Sequence, residues 1–319
     1  MMREYLMGLT VGIDVGGTKI AGGVVDDVGA VLQMDVRKTV GRNPEALEAT
    51  IIGLIAEYKS LYSVEAVGVG FAGFIDEKRS RVLMSANLGW QDEPLKAALE
   101  SQVGLPVVVE NDANAAAWGE YRFGGDDIPL DMVCVTVGTG IGGGLILDGS
   151  LYRGAHGVAA EFGHLGVDPS GRLCGCGNRG CWEQYASGNA LVREARMLAA
   201  DRRSEASILL GLGDGTPEGV SGENVTEAAR LDDPVALAAF DYLARWLGQG
   251  IADLTALLDP ACFVIGGGVS EAGDLLLGPT RRSFFASLSG GSSRPTPEIR
   301  LAKLGNKAGL IGAADLARI

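Results

Sequence analysis

The same short text occurs twice in this chain, and the repeat restricts the fold more than any other feature. Placing Val15 over Val137 aligns Gly16 with Gly138, Gly22 with Gly144, the apolar pair Val24-Val25 with Ile146-Leu147, and Asp26 with Asp148. Each copy is an apolar strand that breaks into glycine and returns as a second strand. Short glycine-rich strings also match by chance, and an ordinary structural hairpin accounts for either copy alone. Together they predict one hairpin used twice, in two related α/β lobes.

The text between and after the hairpins alternates in period. The pattern predicts a helix over 44–58, a strand over 66–71, a helix over 93–102 and a buried strand at Val107-Val108-Val109 that ends in Glu110-Asn111-Asp112. A helix then runs through Ala115-Ala116-Ala117-Trp118. Further on come helices over 190–200 and 234–258, a glycine-rich surface loop over 210–223, a strand at Phe263-Val264-Ile265 and a final helix over 307–318. Strands alternating with helices imply mostly parallel or mixed sheets covered by helices. With 319 residues and no low-complexity linker, the repeat places the boundary: a smaller lobe of 1–118 joined by 303–319, and a larger lobe of 119–302.

A net charge of −13 and a pI near 4.7 repel phosphate backbones and anionic lipid, so neither nucleic acid nor membrane is an expected partner. No apolar run reaches transmembrane length, and residues 1–10 lack the pattern of a signal peptide. The expected compartment is the cytoplasm, where thiols stay reduced.

Three of the five cysteines and one of the two histidines fall between residues 161 and 183. His164, Cys174, Cys176 and Cys181 form a Cys₃His set suited to tetrahedral zinc, and the intervening glycines allow the turns that gather thiolates around one ion. A closed structural site is expected, although a reducible Cys174–Cys176 or Cys176–Cys181 disulfide, or unpaired core thiols, would use the same residues. Cys134 and Cys262 lie in apolar runs where cysteine acts as a small hydrophobe. His156 matches no ligand position.

Gly138, Gly140 and Gly143 have the spacing of a dinucleotide-binding loop. That fingerprint opens a helix, whereas 144–149 reads as a returning strand. The segment Asp14-Val15-Gly16-Gly17-Thr18-Lys19 likewise lacks the glycine spacing of a Walker A loop. Both hairpins do offer a tight turn with exposed backbone N–H groups able to wrap phosphate oxygens. Thr18 and Thr139 add hydroxyls and Lys19 a positive charge. A third glycine turn, Gly266-Gly267-Gly268, follows a strand and shifts the balance toward a nucleotide.

Asp14-x-Gly16-Gly17-Thr18-Lys19, Glu110-Asn111-Asp112-Ala113-Asn114, Glu161-x-Gly163-His164 and Cys174-x-Cys176-Gly177-x-x-Gly180-Cys181-x-Glu183 together resemble the ROK family of repressors, open reading frames and sugar kinases. The similarity covers nearly the whole chain, and 110–124 and 180–188 resemble the ATP-dependent glucokinases of that family most closely. The resemblance implies a two-lobed actin-like, ribonuclease-H-like α/β kinase that phosphorylates glucose with Mg²⁺ and ATP, beside a structural Zn²⁺ site, as a homodimer or homotetramer. Fructose, mannose and N-acetylhexosamines are the alternative sugars. A sugar-responsive regulator is the alternative from another class, but repressors of the family resemble one another in an added helix-turn-helix domain, and about ten residues precede the first strand here.

The resemblance also implies roles. Asp112 is expected as general base and Asp14 as a holder of Mg²⁺, with Gly16, Gly17, Thr18, Lys19, Gly138, Thr139, Gly140, Gly266, Gly267 and Gly268 around ATP. Asn87, Asn111, Asp112, Glu161, His164 and Glu183 are expected around the sugar. By residue type alone, Asp112 or Asn114 is equally a helix cap. The metal is expected to shape the sugar pocket, because Glu161 and Glu183 flank its ligands while the phosphate hairpins lie far off in sequence.

Overall fold

The computed structural model describes residues 8–39, 43–85 and 88–319. Contacts divide the chain into two units, one of 1–134, 143–160 and 303–319, the other of 135–142 and 161–302.

The first unit is built on a sheet of β1 (Leu9–Val15), β2 (Lys19–Val25), β3 (Val31–Lys38), β4 (Val64–Phe71) and β8 (Val107–Asn111), in the order β3-β2-β1-β4-β8. β1 and β2 form the first hairpin, while β1, β4 and β8 run parallel. The parallel strands are nearly continuous apolar text because helices cover both faces. α1 (Pro44–Leu61), started by Pro44 and by Asn43 accepting from Ala46 N–H, and α2 (Leu95–Val103) cover one face. Their Leu47, Ile51, Leu54, Leu95 and Leu99 join Val11, Ile13, Val67 and Val109 in one core.

Glycine makes room on the opposite face. α3 (Asp112–Phe123) and α10 (Ala308–Leu316) lie so near the sheet and each other that a Cβ on Gly12 would stand 2.0 Å from Leu310 O, and one on Gly312 1.8 Å from Ala115 O. All nine residues of α10 are buried. A small antiparallel sheet of β5 (Phe74–Ile75), β6 (Val82–Ser85) and β7 (Trp90–Glu93) completes this part of the chain.

The second sheet has the order β11-β10-β9-β12-β13, from β9 (Met132–Val137), β10 (Ile141–Leu147), β11 (Ser150–Tyr152), β12 (Cys262–Gly266) and β13 (Glu298–Leu301). β9 and β10 are the second copy of the hairpin. In the second unit, α4 (Glu183–Ala186), α5 (Gly188–Asp201), α6 (Ser207–Leu212), α7 (Gly222–Arg230), α8 (Pro234–Leu258) and α9 (Asp274–Ser287) supply the helical layer. Buried Asp233 caps α8 by accepting from Val235 and Ala236 N–H.

Several expectations need revision. The loop expected over 210–223 is narrower, because Leu209 and Leu210 are buried in α6 and Ser221 opens α7 with a reciprocal capping box to Asn224. The helix after Asp112 begins at Asp112 itself rather than at Ala115. A boundary after residue 118 would cut α3, and the first unit instead continues through Cys134 and takes in 143–160. Among the described residues, no helix is long and apolar enough to cross a membrane.

Candidate functional site

In the first unit, polar side chains gather where three parallel strands end. Asp14 is in register with Gly70, Gly70 with Glu110, and Phe71 with Asn111, so β1, β4 and β8 reach the same level before the chain leaves the sheet. The carboxyl ends of parallel strands are where open α/β sheets bind ligands. Gly70 keeps the floor low, and a Cβ there would lie 3.6 Å from Asp112 Cα.

Two carboxyl groups share this level. Burial, then the neighbouring Asp112 charge, pushes Asp14 up to about 7 against the pull of Lys19. Burial also raises Asp112, partly offset by the Ala113 N–H that its Oδ1 accepts at 3.0 Å. Like charges brought together out of water favour the proton on one of them or a cation between them. The first turn of α10 closes on the same group, since a Cβ on Gly309 would stand 3.2 Å from Asp14 Cγ.

The capping question has a specific answer: Asn111 caps α3 by accepting Asn114 N–H at 3.0 Å, and it donates through Nδ2 to Gly73 O at 3.1 Å. Asp112 is thereby not required as the cap. The adjacent turn runs from Gly16 to Lys19, closed by Gly16 N–H to Lys19 O at 2.9 Å, with Gly17, Thr18 and Lys19 exposed. Thr39 Oγ1 donates to Gly16 O at 2.9 Å and steadies it. Asn87 lies outside the described residues.

In the second unit three backbone turns meet. Gly138 N–H donates to Gly140 O at 3.0 Å, which closes the second hairpin around an exposed Thr139. Gly267, at φ +81°, rests on β9 so closely that a Cβ would be 2.5 Å from Val137 O. Gly188 N–H donates to Gly138 O at 2.7 Å, and a Cβ on Gly188 would also stand 3.2 Å from Val269 Cγ2. The start of α5 thus joins Gly138–Gly140 and Gly266–Gly268, adding a helix N-terminus to two glycine turns, a combination suited to phosphate. Sequence reasoning missed Gly188, although Ser187, which caps α5 by accepting Ala190 N–H at 3.2 Å, was a legible start signal.

The Cys/His loop folds into a compact knot. Gly166 bridges to Cys181 and Leu173 to Arg179, and glycine is required at 180, where φ is +71° and any Cβ would also strike Asp168 O. His164 ends a short turn at Phe162–His164, which Gly163 seats against Ile141 O. The donor atoms of His164, Cys174, Cys176 and Cys181 all lie within 4.8 Å of one another. Cys174 Sγ is 3.7 Å from His164 Nδ1, and Cys176 Sγ is 3.6 Å from Cys181 Sγ. A tetrahedron with metal–sulfur bonds of about 2.3 Å has edges of about 3.8 Å, so this donor set can hold a metal ion. All five cysteines are free; Cys134 and Cys262 are buried, and burial pushes the Cys262 thiol up to about 11.

Glu183 opens α4 and connects two of these features. Its Oε1 accepts from Cys174 Sγ at 3.0 Å, while a Cβ on Gly140 would stand 2.5 Å from its Oε2. The Cys/His loop and the Gly138–Gly140 turn, remote in sequence, therefore meet at one carboxylate. Glu161 precedes the His164 turn in the same unit.

A duplicated strand hairpin on mixed α/β sheets, with paired aspartates at strand ends, defines the actin-like fold of sugar kinases. The chain belongs to the ROK family, whose model matches residues 10–319. It is 53% identical over 312 residues to a glucokinase of Streptomyces coelicolor, covering 98% of each chain. It is 38% identical over 320 residues to a glucokinase of Halalkalibacterium halodurans, covering 97% of this chain and 94% of that one. A crystal structure of a ROK family glucokinase from Streptomyces griseus in complex with glucose and AMPPNP superposes with a TM-score of 0.91 at 55% identity, covering 98% of this chain and 99% of that one.

Proposed function

We propose that this protein transfers the γ-phosphoryl group of ATP to glucose and releases glucose 6-phosphate and ADP. The geometric observation that carries the reading is the Asp14–Asp112 pair at the ends of β1 and β8. Similarity along the whole chain to glucokinases, one crystallised with glucose and an ATP analogue, supports the choice of sugar and donor.

Asp112 takes the proton of the sugar hydroxyl as its oxygen attacks the γ-phosphorus, and the bond to the bridging oxygen breaks with its electron pair leaving on ADP. Burial raises the proton affinity of Asp112 and makes it a better acceptor. Asp14 would hold Mg²⁺, which when bound supplies positive charge against the phosphates. Gly16, Gly17, Thr18 and Lys19 bind phosphate oxygens on the first hairpin, as do Gly138, Thr139, Gly140, Gly266, Gly267 and Gly268 in the second unit, with Gly188 added by its place beside Gly138. Asn87, Asn111, Glu161, His164 and Glu183 bind sugar hydroxyls. Asn111 has one amide hydrogen beyond its bond to Gly73 for that purpose.

For the metal we infer zinc, because three thiolates and an imidazole at tetrahedral spacing match its ligand chemistry. His164, Cys174, Cys176 and Cys181 hold it in a closed site, so its role is to shape the loop that carries Glu161 and Glu183. A homodimer or homotetramer in the cytoplasm completes the reading, and sedimentation velocity tests the assembly. The activity itself is tested by a coupled assay over glucose, fructose, mannose and N-acetylhexosamines with ATP and polyphosphate. Glucose with ATP is expected to have the highest kcat/KM, and a higher value for another hexose would change the substrate but keep the class.

A further inference from the structure

A buried carboxylate holds the turn from which Asp112 projects. Glu110 precedes the end of β8 with 1% of its side chain exposed. Its Oε1 accepts from Asn111 N–H at 2.8 Å and from Asn114 Nδ2 at 3.1 Å, one bond on each side of Asp112. Its Oε2 lies 3.0 Å from Arg79 Nε and 2.7 Å from Arg153 Nε.

Both arginines are themselves fixed. Arg79 accepts from Val109 N–H at 3.1 Å through its carbonyl, and its φ of +55° is a left-handed conformation that a long side chain keeps only when its surroundings compel it. Arg153, just after β11, donates through Nη1 to Glu77 O at 2.9 Å and through Nη2 to Asp76 O at 2.8 Å. Asp76 holds that turn from within by accepting Ser80 N–H at 2.7 Å and Arg81 N–H at 3.0 Å. Buried ionic groups of this kind are often no more stabilising than apolar residues of similar volume, so stability alone does not account for three charged side chains and a strained backbone here.

We propose that Arg79, Glu110 and Arg153 are positioning residues for phosphoryl transfer: the two guanidiniums fix Glu110, and Glu110 fixes the 111–114 turn so that the Asp112 carboxylate meets the attacking hydroxyl. The assignment rests on the reading of Asp112 as general base. Arg79, Arg153 and Trp118 line a cavity of about 720 Å³, the space through which methylguanidinium would reach the gap left by Arg153→Ala.

The test measures kcat and both KM values for the parent, Arg153→Ala, Asp112→Asn and the double variant, with folding checked by circular dichroism. Misplacement of a catalytic group by an ångström costs roughly 100-fold, so Arg153→Ala is expected to lower kcat by about 10- to 100-fold with both KM values within about threefold. Methylguanidinium should restore part of that loss. In the Asp112→Asn background, Arg153→Ala should cost less than about twofold, since an amide that accepts no proton gains nothing from exact placement. Parental kcat in Arg153→Ala, a loss confined to KM, or a double variant as slow as the product of the single losses would overturn the proposal. Parental turnover in Asp112→Asn would instead remove the base reading on which it rests. If Arg153→Ala does not fold, Arg153→Lys decides: it keeps the charge but not the clamp on two carbonyls, so a several-fold fall in kcat is expected and an unchanged kcat overturns the assignment.

Discussion

Asp112 and Asn111 are adjacent, yet the fold gives them different work. Asn111 closes the helix N-terminus and leaves the Asp112 carboxylate beside Asp14. Asp112→Asn, which keeps the shape but not the basicity, should reduce kcat by about 10²–10⁴-fold with little change in either KM. Near-parental turnover in a folded variant would show that Asp112 does not take the proton. Asp14 makes a separate prediction about stability in the absence of nucleotide and metal. Its carboxyl is raised in the folded state to about 7 from 3.8, so its contribution is complete below 3.8 and is lost as pH rises toward 7. Asp14→Asn has no such loss. The variant should gain on the parent between pH 5.5 and pH 8, by about 1–3 kcal/mol at the upper end once partial solvation of the half-buried side chain is allowed for. Denaturant melts at the two pH values measure the gap, and a constant difference would contradict the raised carboxyl.

At the scale of elements, the two hairpins, the parallel strands and the long helices were legible because their periods are strong and glycine marks their ends. β3 was not read because its inward residues Gln33, Asp35 and Arg37 are polar, while Leu32, Met34 and Val36 face outward and are exposed. The four donors that the fold brings within 4.8 Å of one another, His164, Cys174, Cys176 and Cys181, were legible from residue type and spacing. The cap on Asn111 is local, but Asp112 and Asn114 offer the same capping chemistry. The place of Gly188 beside Gly138 and the contact of Glu183 with Gly140 were not legible, because each joins segments distant in sequence. That contact alters what metal loss should do: Cys176→Ala is expected to release the ion by elemental analysis and to raise KM for glucose and for ATP together. A rise for glucose alone would show that the Glu183–Gly140 contact transmits nothing. Where α3 meets α10, Gly312→Ala would drive a methyl into Ala115 O and Gly119 N. Both obstacles are helix backbone with no side chain to swing aside, so the variant should lose about 3 kcal/mol or more in chemical denaturation. A loss below about 1 kcal/mol would mean that the helices separate easily.

At the scale of the molecule, the first unit is assembled from three stretches of chain, and its last piece, α10, comes from residues 308–316. That helix seats Leu310, Ile311 and Ala314 against Ala21 and Val25, and its Asp315 accepts from Trp118 Nε1 at 2.8 Å. Without it, the glycine-lined face of β1 and β4 would stand open to water. A chain stopped after residue 302 should therefore fail to give a folded first unit, seen as lost protease resistance in residues 8–134, and a resistant fragment would show that α10 is dispensable. During synthesis the ribosome makes β1 almost three hundred residues before α10. The nascent chain must carry an unfinished first unit while the whole second unit emerges, so the interval in which chaperones can engage it is set by translation of residues 161–302.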